Sequence, residues 1–125
     1  MLGENDAIAT LAVKKIETAR KFYGDVLRLK PGVSREKEVL TYESGRSKLL
    51  VYQSQFAGTN QGTAVTWVVN DVDAEVKALK EKGVAFEHYD FPGMKRNGDV
   101  HDTGHGKAAW FKDPDGNILA IVSGR

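Results

Sequence analysis

One order of patterns occurs twice along the chain, and it constrains the fold more than any other feature: an apolar run, a helical stripe, then further short strands. The first copy opens with Ile8–Val13 (Ile-Ala-Thr-Leu-Ala-Val), short and apolar enough to form a strand. Ile16, Ala19, Phe22, Tyr23, Val26 and Leu27 follow at helical spacing, with Lys21, Asp25 and Arg28 turned to water. Pro31-Gly32 is expected to stop that helix. Strands are expected over Glu38–Glu43 and Lys48–Gln53, joined through Ser44-Gly45-Arg46, with a third near Gly32–Arg35.

In the second copy Ala64–Val69 is the opening strand, and Asp71 or Asp73 can cap the next helix by accepting a first-turn N–H. Val72, Val76 and Leu79 form its stripe, and Gly83 supplies the left-handed residue after its end. Val84–His88, Lys107–Lys112 and Asn117–Ser123 are strands by composition, the last two flanking the turn Asp113-Pro114-Asp115-Gly116. Asp90–Gly106 has no clear period, and long irregular stretches in compact domains often serve function.

The halves, about 5–55 and 62–125, match with Val13 on Val69 and Ile16 on Val72. The expected fold class is α+β: two tandem βαβββ modules forming a cupped mixed sheet with helices on the outer face, in a single domain over 1–125. Alternation turns Ala9, Leu11 and Val13 toward the first helix, leaving Ile8, Thr10 and Ala12 on the other face. Val65, Trp67 and Val69 likewise face the second helix, with Ala64, Thr66 and Val68 opposite.

The absence of cysteine among 125 residues excludes disulfides and thiolate chemistry. Eighteen Lys and Arg against 17 Asp and Glu leave a net charge of +1, which argues against a nucleic-acid partner. No apolar run is long enough to span a bilayer and no basic, apolar leader is visible, so no membrane partner and a cytoplasmic location are expected.

Three stretches carry a family resemblance: Val13-Lys-Lys-Ile-Glu-Thr-Ala-Arg-Lys-Phe-Tyr-Gly-Asp-Val-Leu, its echo from Val69 through Gly83-Val84, and Ala109-Trp-Phe-Lys-Asp-Pro-Asp-Gly-Asn-Ile-Leu. Together they resemble the vicinal-oxygen-chelate superfamily of glyoxalases, bleomycin-resistance proteins and extradiol dioxygenases. Within it, Tyr89-Asp-Phe-Pro-Gly-Met-Lys and Lys107-Ala-Ala-Trp-Phe-Lys-Asp resemble its small single-domain bacterial members. The resemblance implies a divalent metal held by His and Glu at the start of each half's first strand and within its last strand. Those positions fall here on Ile8, Ala64, Ala120 and, depending on the turn, Val51 or Tyr52. None suits a hard or borderline cation. No metal and no cofactor are therefore expected.

Of the three histidines, His88, His101 and His105, the pair four residues apart lies among Gly98, Gly104 and Gly106, where a helix is improbable. The spacing is read as surface histidines of a mobile loop, with His101 and His105 as acid–base candidates. Trp110, Tyr52, Tyr42 and Phe56 are candidates for stacking on a ligand, against a core or interface role for each. Trp67, Phe22 and Tyr23 read as core, and Asp113 and Asp115 as turn residues.

The resemblance to antibiotic-sequestering members, which also lack the metal ligands, implies a metal-independent small-molecule binding protein acting as a homodimer. Its ligand would be apolar or aromatic, held by Ile8, Thr10, Tyr52, Ala64, Thr66, His101, Trp110 and Ala120, with Asp90–Gly106 as a lid. The alternatives are a glyoxalase- or dioxygenase-like enzyme, using the loop histidines or an atypical metal site, and a fold kept as an interaction module.

Overall fold

The computed structural model describes residues 1–34 and 36–124, in two compact units, Met1–Thr59 and Asn60–Arg125. In the first, β1 (Ala9–Val13) leads into α1 (Ile16–Ala19), which continues as a π-helical coil over Arg20–Val26. Three strands follow, β2 (Lys30–Pro31), β3 (Val39–Ser44) and β4 (Ser47–Gln53), in a sheet of order β1-β4-β3-β2. β1 lies parallel to β4, and the remaining pairs are antiparallel.

Alternation in this sheet decides what is buried. Leu11, Val13, Leu40, Tyr42, Leu49 and Val51 point to one face and are all buried, with Tyr23 of the π-helical coil packed 6.3 Å from Tyr42 between ring centroids. Each such aliphatic side chain contributes about 1.5–3 kcal/mol by leaving water. The helix ends before Pro31: Arg28 takes φ 61 and the Leu29 N–H reaches back to the Tyr23 carbonyl. Pro31 therefore sits in β2 instead of serving as the stop. The third strand lies at Lys30–Pro31, ahead of the expected Gly32–Arg35, whose Arg35 is outside the described residues.

The second unit repeats the plan with an addition. β5 (Thr63–Val68) is followed by α2 (Val72–Glu81), β6 (Phe86–Glu87), β7 (Lys95–Asn97), β8 (Val100–Asp102), β9 (Lys107–Lys112) and β10 (Ile118–Val122). The sheet runs β5-β10-β9-β8-β7, with β6 pairing the far end of β9. Of the two cap candidates, Asp71 accepts the Ala74 N–H at 3.1 Å. Gly83, at φ 90, closes α2 while the Val84 N–H bonds the Leu79 carbonyl.

The stretch Asp90–Gly106 is not a lid-like loop throughout. Its centre is a β7–β8 hairpin turning at Gly98-Asp99, with Gly98 at φ 64 in the position where such turns favour glycine. Both units together are the α+β, tandem βαβββ architecture, the hairpin being an insertion in the second. No helix among the described residues is long and apolar enough to cross a membrane.

Candidate functional site

Each unit has one sheet face committed to its helix. In the first, the Tyr23–Tyr42 contact marks that face; in the second, Lys107 bonds Asp73 of α2 at 2.6 Å, so Lys107, Ala109 and Phe111 look toward α2. The opposite faces hold the expected site residues. Thr10, Leu50 and Thr41 form one cross-strand row in the first unit, and Ala12, Tyr52 and Val39 the next. In the second unit Thr66, Ala120, Trp110 and Glu87 form one row, and Val68, Val122, Ala108 and His101 the next.

Thr66, Ala120, Trp110 and His101 are thus neighbours on one face. Thr10 and Tyr52 share the corresponding face of their own unit, with Tyr52 37% exposed. Ile8 precedes β1 and is half-exposed. Ala64 departs from the expected alternation: the β5–β10 register shifts between Ile118 and Leu119, so Thr63 pairs Ile118, Val65 pairs Leu119, and Ala64 is the bulged residue between them.

The register also corrects the first-half ligand position. Matching Val13 to Val69 matches Thr10 to Thr66; Thr66 pairs Ala120, and Thr10 pairs Leu50. The counterpart of Ala120 is Leu50, not Val51, which is buried on the helix face, or Tyr52, one row further along. Ile8 and Leu50 in the first unit, and Ala64 and Ala120 in the second, offer carbon alone, so neither unit's pair of positions fits a divalent cation. Among the described residues no three His, Asp or Glu side chains are grouped so as to hold a metal.

The histidines separate. His105 is exposed in the turn after β8, whereas His101 is 0% exposed on β8, contrary to its reading as a surface residue of a mobile loop. Strand alternation turns it onto the Ala108 and Trp110 face, where the Trp110 ring meets it edge-on at 4.9 Å. The Tyr89 N–H donates to His101 Nε2 at 3.0 Å, while Nδ1 is buried and has no partner among the described residues. Tyr89 and Phe91 complete a four-ring cluster, with Tyr89 5.3 Å and Phe91 6.3 Å from Trp110.

Sequence reasoning did not select Tyr89 and Phe91 as site residues, although their i, i+2 spacing places both on one side of an extended chain. Tyr42 is a core residue whose burial pushes its phenol above the usual 10.0, and Phe56 is exposed on a turn, so neither stands with the site residues.

A polar cluster braces the nearby hairpin. Asp99, in the hairpin turn, bonds Lys80 of α2 and His88 beyond β6, each at 2.6 Å. Those two bonds hold its carboxyl below the ordinary carboxylate range.

Residues 6–121 match a family described as the Glyoxalase/Bleomycin resistance protein/Dioxygenase superfamily. No curated protein matches. Among solved structures, the chain is similar to a lactoylglutathione lyase from Agrobacterium tumefaciens (18% identity, TM-score 0.70, covering 96% of this chain and 93% of that one). It is similar to the fosfomycin resistance protein FosX of Listeria monocytogenes (14%, 0.73, 97% and 93%). It is also similar to TnmS3, an antibiotic binding protein from Streptomyces sp. CB03234 (20%, 0.66, 95% and 96%). At these identities the likeness is one of fold.

Proposed function

The chain belongs to the Glyoxalase/Bleomycin resistance protein/Dioxygenase superfamily, and on that footing we propose that it binds and sequesters a small apolar or aromatic molecule without a metal ion. The observation that carries this reading is the content of the sheet face opposite α2. Thr66, Ala120, Trp110 and His101 gather there with Glu87 at the end of the row, a mostly apolar and aromatic set in which Ala120 and His101 are buried, and the positions suited to metal ligands carry carbon side chains. Small-molecule sites have that composition.

The names of its structural neighbours cover binding and catalysis alike, and that of the antibiotic binding protein describes a role that needs no reaction. A catalytic role with His101 as base finds less support, because Nε2 already accepts the Tyr89 N–H. The protein is also proposed to act as a homodimer. The support is apolar surface that a lone chain leaves in water: Val68 is 63% exposed on β5, an edge strand of its sheet.

Native mass spectrometry with Ni²⁺, Zn²⁺ or Mn²⁺, followed by a screen of aromatic compounds, tests the reading. The expected result is a dimer that takes up no stoichiometric metal and binds compounds from the screen. One tightly held metal per chain would overturn it.

A further inference from the structure

We infer that the ring cluster around His101 is a subsite for a planar, conjugated molecule bearing a carbonyl-type oxygen, and that His101 Nδ1–H donates to that oxygen. The inference rests on the small-molecule reading above and names the ligand class.

The argument begins with the tautomer. A backbone N–H can only donate, so the Tyr89 N–H bound to Nε2 requires a lone pair there. The proton of the neutral ring is thereby assigned to Nδ1. That N–H is buried and has no acceptor among the described residues. A buried donor left unmet costs about 1–3 kcal/mol, and native folds retain few such groups.

The surroundings offer no relief. The cross-strand neighbour of His101 is Ala108, the rings of Trp110 and Tyr89 pack against it, and Phe91 packs in turn on those two rings. A buried, unmet donor beside aromatic rings selects a ligand that is flat, for the rings, and that carries an acceptor, for the donor. A donor-bearing or wholly apolar ring would leave the Nδ1–H as unmet as before.

The group that can yield to such a ligand is Phe91. It is 50% exposed, belongs to no strand, and begins a turn closed by the Met94 N–H on its own carbonyl, with Gly93 at φ 78. Displacing its ring breaks no sheet hydrogen bond.

9-Fluorenone and fluorene, a matched pair of flat rings with and without the carbonyl, provide the test on the full ¹⁵N-labelled chain. Long-range ¹H–¹⁵N spectra read the tautomer of His101 before and after titration, and tryptophan fluorescence reads affinity. The expected results are an Nδ1-protonated ring in the free protein, fluorenone binding about tenfold tighter than fluorene, and a change at Nδ1 with fluorenone alone. In His101→Gln, whose amide sits where Nε2 was, that preference falls to about one.

An Nε2-protonated ring in the free protein overturns the inference without recourse to any variant. Equal affinity for the two probes overturns it while leaving the small-molecule reading intact. Binding of neither probe overturns it as well, and the broader reading then stands or falls on the compound screen.

Discussion

At the scale of the residue, Asp113 shows how much one side chain can hold. It is 5% exposed, and its Oδ1 accepts the N–H groups of Asp115 and Asn117 while Oδ2 accepts from the Asn117 side chain. Asp113→Ala orphans three donors, two of them in buried pairs with Asn117, and is expected to cost about 2–4 kcal/mol in urea unfolding. Asp113→Asn keeps the backbone acceptor and should lose less. This turn was legible because Asp-Pro-Asp-Gly fixes its backbone through local chemistry alone. His101 was not legible. Its burial is set by Ala108 and Trp110 on the next strand and by Tyr89 twelve residues earlier, and nothing in the spacing to His105 encodes those partners.

Elements add terminal chemistry to these contacts. Asp71→Ala removes the acceptor of the Ala74 N–H and should cost about 1 kcal/mol, read as a shift in urea midpoint with unchanged slope. Arg28→Gly should act in the opposite sense, raising stability by up to about 1 kcal/mol, because a non-glycine residue holds φ 61 at the end of the first helix.

The β7–β8 hairpin is braced by Asp99 between Lys80 and His88. Its lowered carboxyl pKa means that the native state favours the ionised form. The stability it adds is present above the ordinary carboxylate value and is lost as pH falls through the folded one. Both partners are about half-exposed, so the effect stays below about 1 kcal/mol. Urea midpoints taken from pH 7 down to pH 2.5, roughly the span over which carboxylates titrate, should fall less steeply in Asp99→Asn than in the parent. The hairpin itself escaped the sequence because Lys95–Asn97 and Val100–Asp102 are three-residue strands, too short for alternation to register.

Across the whole molecule, the repeat was the most legible feature, since it is written in runs such as Ile8–Val13 and Ala64–Val69 whose apolar content needs no partner to be recognised. Register was less so. The bulge at Ala64 and the pairing of Thr10 with Leu50 depend on hydrogen bonds between segments far apart in sequence. Charge is the other property that belongs to the chain as a whole. With a sequence pI near 7.9, colloidal solubility should pass through its minimum close to that pH, and light scattering across pH 5.5 to 10, roughly the range in which histidine and lysine charge changes, checks it.

The π-helical coil gives the two units unequal tolerance to the loss of a residue. α1 and the coil hold four and seven residues, one more in all than the ten of α2, and the coil closes with a five-residue step from the Leu27 N–H to the Phe22 carbonyl. Deleting one residue within Arg20–Val26 can be absorbed by returning the coil to ordinary pitch. The same deletion in α2 has no slack to draw on and would swing the residues beyond it by about 100° around the axis, carrying Val76 off its face. A single-residue deletion scan should therefore spare the first helix and break the second.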